Sequence, residues 1–247
     1  MSTRRQNTTL IATLGWLLIC IVALLLAASV ATAQTARDDS PMGFDDARHL
    51  LNRTSFAAQT ADIENYARLT RAEAVDRLLA ETRRHAAYPA PAWTAKYERV
   101  YRPDMTQEQR MQANRRELIE RGLEIRTWWV AEMLSTPTPL TEKMTLFWHN
   151  HFATSQQKVR SAQLMYRQNV LLRSYALGNF GALLREISKD PAMLVYLDGA
   201  QNRKGAPNEN FARELFELHT LGAMNYLGAI GKPGSAPKDD QGRPIGY

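Results

Sequence analysis

The sequence holds a single cysteine, Cys20, in 247 residues. It lies inside an apolar run near the N-terminus, so neither an internal disulfide nor a thiolate metal cluster can be built. Also missing are a G-x-S-x-G nucleophile elbow, H-E-x-x-H, C-x-x-C, a Walker loop and G-x-G-x-x-G. Without them the common hydrolase, NTPase and dinucleotide-binding readings have no support. A basic stripe is lacking too, despite a net charge of +6. In 106–134, "TQEQRMQANRRELIERGLEIRTWWVAEML", acids and bases alternate: Arg116 sits four before Glu120, and Glu117 four before Arg121. That is the pattern of a solvated, salt-bridged helix face. Nucleic acid is therefore not an expected partner.

What is present begins with the N-terminus. Arg4 and Arg5 precede an apolar run from Leu10 to Val30, followed by "ATAQ". A charged start, an apolar stretch and Ala31 and Ala33 before Gln34 form a secretory signal pattern. Residues 1–33 are read as a signal peptide, or, if uncleaved, as an anchor whose residues 10–30 are the chain's one membrane contact. Sec export to the periplasm or beyond is expected, with inner-membrane anchoring the alternative. Cleavage would remove two arginines and leave 29 Lys+Arg (31 minus 2) against 25 Asp+Glu, or +4.

Residues 34–43 read as a linker and 44–224 as a helical domain. Asp45 is placed to cap "DARHLLNR"; Thr70 with Glu73, and Thr106 with Gln109, form capping boxes. The second opens a helix running to about Leu134, about 43 Å at 1.5 Å per residue. Thr141 is placed to cap "EKMTLFWHNHF". "SAQLMYRQNVLLRSYAL" ends at Gly178, and "FGALLREIS" is short. Asp190-Pro191 starts "AMLVYLD", in which "MLVYL" alone is also compatible with a strand. Asn208 caps "ENFARELFELHTL", stopped by Gly222. From Asn225 to Tyr247 there are five glycines, three prolines and no clear element. The expected class is all-α: an irregular multi-helix domain with a long Gly/Pro-rich C-terminal loop at 225–247. The expectation is that the chain stops inside an insertion and that more sequence normally follows.

Polar groups near an apolar helix face need partners. On a helix over 208–221, Phe211, Leu215 and Leu218 form the core stripe; Asn210, Glu214 and Glu217 flank it, Arg213 points elsewhere and can pair with Glu209 and Glu217, and His219 falls on the opposite flank. In "FWHNHF", helical spacing turns His151 to the core and His149 to the surface; a strand would put both on one face. Three readings stay open. His151, Glu214 and Glu217 form a satisfied buried network; or, with His149, they hold a divalent metal or a catalytic pair; or the polar loop "DGAQNRKGAPNEN" binds a ligand through Asp198, Asn202, Arg203, Asn208, Asn210 and Arg213. The loop reads first as one held by bonds from side chains to backbone. Trp128-Trp129 reads as core plus rim.

"ARHLLNR", "LFWHNHFATS" and "ALGNFGALLREISKDPAMLVYLDGAQNRKGAPNENFARELFELHTLG" together resemble the bacterial domain-of-unknown-function family 1800, over residues 44–247. The resemblance implies an exported, largely helical protein, longer in typical members. It implies no catalytic roles. A partner of the exported unknown-function family 1501 type, similar to sulfatase- and phosphatase-like enzymes, is implied by gene neighbourhood alone. The expected function is a helical scaffold or binding component of the bacterial envelope; the alternative is a metal- or carboxylate-dependent hydrolase acting on an extracytoplasmic polymer.

Overall fold

The computed structural model describes residues 39–96, 102–206 and 208–222. The expected signal or anchor (1–33) and the expected C-terminal loop (225–247) lie outside the described residues. The fold is all-α, as expected, and among the described residues there is no strand, only an isolated bridge between Arg203 and Ala206.

Three helices, α1 (Gly43–Thr54), α2 (Thr60–Ala67) and α3 (Arg71–Ala80), make a first core of Ala47, Leu51, Ile63, Tyr66, Ala74 and Leu78. Thr70 and Glu73 form the capping box at the start of α3, and Arg77 lies over the Tyr66 ring. Asp45 does not cap α1. The helix begins at Gly43, two residues earlier, so Asp45 sits in its first turn, where its charge still meets the positive end of the dipole.

The long helix is present but not uniform. α4 (Gln107–Arg115) opens on the Thr106–Gln109 capping box, passes through a π-helical turn (Arg116–Arg121) and continues as α5 (Gly122–Ser135). The π turn inserts a residue into the helical register, and the solvated-face reading holds for Arg116 and Glu120, which are exposed, but not for the second pair. Glu117 and Arg121 are both buried, joined at 2.8 Å.

α6 (Pro139–His151) starts earlier than expected, with proline at its first position and Thr138 before it. Thr141 therefore lies inside the helix, buried, and its hydroxyl accepts the Arg83 N–H. α6 joins two cores: Leu140 packs on the first, while Trp148 and Phe152 belong to the second. That second core adds α8 (Ala162–Ser174), α9 (Phe180–Ile187) and α10 (Pro191–Tyr196), through Leu172, Leu183, Ile187, Met193 and Leu197, and the short α7 (Gln156–Val159) packs beside α8 and α10. Leu172 and Leu183 are fully buried, each stabilising the fold by about 1.5–3 kcal/mol relative to exposure. "MLVYL" is helical, since Asp190 caps it through the Met193 N–H. α8 is the hub, touching α5, α6, α7, α9, α10 and the π turn. It ends at Ser174 rather than at Gly178, whose N–H closes a separate turn on Tyr175. α11 (Glu209–Glu217) is capped by Asn208, as expected.

Candidate functional site

The helices α6 and α11 carry most of the polar residues singled out in the sequence. On α6 the helical period sends the two histidines to different neighbours. His149 is not a surface residue: it packs edge-on against Trp129 of α5, ring centres 5.2 Å apart, and burial holds its pKa below the ordinary histidine value. His151 points the other way, into a ring cluster with Trp148, Phe152 and Phe180. Its Nε2 lies 3.0 Å from the His219 carbonyl. A carbonyl only accepts, so Nε2 is the donor of this bond. His219, expected on a separate flank, is thus the neighbour of His151. It is 6% exposed, its ring packs on Phe152, and its pKa is lowered to about 4 by burial first and by His151 second.

On α11, Arg213 collects its own helix. Nη1 donates to Glu217 at 2.9 Å, and Nη2 donates to Glu214 at 2.6 Å and to Asn210 at 3.0 Å. Glu214 and Glu217 therefore do share a side. Arg213, expected to point elsewhere, joins them. The other oxygen of Glu214, Oε2, is buried and has no hydrogen-bond partner among the described residues. Leu218, expected in the core stripe, is 57% exposed: the helix ends at Glu217, and the chain leaves the 100° register there. Among the described residues no group of three or more His, Cys, Asp or Glu side chains is placed to share a metal ion, and His149, His151, Glu214 and Glu217 do not form one.

The loop between α10 and α11 is held by side chains bonded to backbone. Asn208 donates its amide to the Asp198 carbonyl, the Asn208 N–H reaches Asn202, and Asn210 donates to the Leu197 carbonyl. Asp198 takes a left-handed backbone conformation (φ 60°), and its carboxylate accepts from Lys158 Nζ at 2.8 Å. Arg203 and Lys204 are exposed.

Residues 49–229 match the model of a family described as a protein of unknown function, DUF1800. The chain belongs to the DUF1800 family. No curated protein and no solved structure matches it.

In this DUF1800 member the most deeply buried charges lie elsewhere than in "NENFAREL". Glu142 of α6 and Arg173 of α8 are paired and fully buried, with Trp129 Nε1 donating to Glu142 at 2.9 Å and Trp128 lying over the guanidinium. Glu117 accepts both from Arg121 and from the Ala162 N–H at 2.9 Å. Glu132 accepts from the Ala87 and Tyr88 N–H groups at 2.7 and 2.9 Å. Each of the three carboxylates ties a helix to a chain segment at least 31 residues away. Helical periodicity does place Glu142 beside Thr145 on the buried side of α6. It carries no signal that names Arg173 as the partner.

Proposed function

We propose that this protein is an exported helical scaffold or binding component of the bacterial envelope, without chemistry of its own. The observation that carries this reading is how the flagged polar groups are spent. His151 is bonded to a backbone carbonyl, and Asn210, Glu214 and Glu217 are gathered by Arg213. Groups that must transfer protons or hold a metal need a common open point; here the α11 groups satisfy one another within their own helix, and His151 ties α6 to the chain just beyond it. Export rests on the sequence pattern of residues 1–33, and Ala33–Gln34 is the proposed cleavage point. Among the described residues no helix is long and apolar enough to cross a membrane.

The test is pull-down of the full-length protein from its native envelope, with the expected result a stoichiometric protein partner, an exported protein of the unknown-function family 1501 type being the first to look for. The hydrolase alternative keeps one observation in its favour, the buried Oε2 of Glu214. Metal analysis of the purified full-length protein separates the two. A stoichiometric divalent ion lost in Glu214→Gln supports the alternative, and a stable, metal-free, partner-binding preparation supports the scaffold. The mass of the exported N-terminus decides between signal and anchor.

A further inference from the structure

The Glu142–Arg173 pair uses only part of the guanidinium. Nε and Nη2 face the carboxylate; Nη1 is turned away from it and has no hydrogen-bond partner among the described residues. One turn earlier on α8, Asn169 is 5% exposed and neither of its amide atoms has a partner. Residues four apart on a helix are surface neighbours, and helical side chains lean toward the N-terminus, so Arg173 inclines over Asn169. Trp128 marks the same seam from the other side. Its ring centre is 5.5 Å from that of Tyr166 and 5.2 Å from the Arg173 guanidinium carbon, and Asn169 lies between these two in the helical register. Three buried polar atoms on one helix face thus lack partners in a region where each unmade bond is unfavourable.

We infer that this seam is a binding site for internal water, with at least one water molecule bridging Arg173 Nη1 and the Asn169 amide. The charges select the ligand. Glu142 already neutralises Arg173 one for one, so an anion would be buried without compensation. A cation would meet guanidinium and amide N–H donors. The site asks for a neutral group that accepts from Nη1 and Nδ2 and donates to Asn169 Oδ1, and water does both. Its role is to complete the polar seam joining α5, α6 and α8.

The test uses the full chain. Water–protein NMR cross-relaxation at the Asn169 side-chain amide, or a high-resolution crystal structure, is expected to show a long-lived water within about 3 Å of Asn169 and Arg173 Nη1. Asn169→Leu, which keeps the branching and heavy-atom count but removes the polar atoms, is expected to lower the melting temperature and abolish that signal. A dry seam in the parent overturns the inference, because the two side chains then satisfy each other directly. A higher melting temperature in Asn169→Leu overturns it too, since removing truly unsatisfied atoms is stabilising. So does a parent that melts higher in chloride than in gluconate at equal ionic strength, which would identify an anion.

Discussion

Arg173 meets Glu142 side-on, Nε to Oε1 at 2.6 Å and Nη2 to Oε2 at 2.9 Å, with both side chains 1% exposed. Breaking such a pair leaves the survivor charged and dry. Glu142→Gln or Arg173→Met is expected to destabilise the fold by about 3–5 kcal/mol. The double variant Glu142→Leu/Arg173→Met removes both charges and is expected to recover most of that loss. Denaturant unfolding of the two single variants and the double checks this, and a double variant as unstable as the sum of the singles contradicts it.

A second prediction concerns the exit from the π turn. A Cβ on Gly122 would clash with Gln156 Nε2, and that nitrogen donates to the Glu117 carbonyl at 2.8 Å. Gly122→Ala gains about 1 kcal/mol in helix propensity but displaces a hydrogen bond worth about 1 kcal/mol. The expected outcome is a nearly neutral change in the parent. In a Gln156→Ala background, where the bond is already gone, the same substitution is expected to stabilise by about 1 kcal/mol. Equal effects in the two backgrounds would show that the side chain of Gln156 moves aside freely.

These cases show what was legible in the sequence. Short-range chemistry was: Thr70, Thr106, Asp190 and Asn208 cap where expected, because a cap and its N–H lie within three residues. Asp45 and Thr141 are equally good capping types but fall inside helices that tertiary packing starts earlier. The Glu117–Arg121 spacing marked a helical ion pair without telling whether it is wet or dry. Four-residue spacing is the same in both settings, and the Ala162 N–H that Glu117 takes comes from 45 residues away. His151 and His219 stand 68 residues apart, and helix periodicity beyond Glu217 misplaced the second of them.

Glu132 offers a test of the carboxylate ties. Its two oxygens take the N–H groups of Ala87 and Tyr88, in a segment without regular hydrogen bonding of its own. Glu132→Ala is expected to lower stability by at least about 1.5–3 kcal/mol, the range for bonds to a charged group. Amide hydrogen exchange at 87 and 88 is expected to speed up well beyond the global change. Exchange rising only in step with global stability would mean that the segment is held by Tyr88 and Trp128 instead, through their bonds to the Ser135 and Tyr88 carbonyls.

Acid sensitivity follows from His219. Its folded pKa, lowered to about 4, lies below the ordinary 6.5 because burial disfavours the imidazolium. Between those values the unfolded chain binds a proton that the folded chain does not. Stability is therefore fully present above pH 6.5 and falls as the pH drops toward 4, by up to roughly 3 kcal/mol at 1.36 kcal/mol per pKa unit. His149, also lowered by burial, pushes in the same direction. His219→Leu removes the titrating ring but keeps the backbone carbonyl that accepts from His151, so the variant is expected to fold. Melting curves from pH 7.5 to 4 are expected to fall more steeply for the parent than for His219→Leu. Parallel curves would mean that the His219 ring reaches water readily and titrates like a free histidine, and that the packing against Phe152 does not keep it dry.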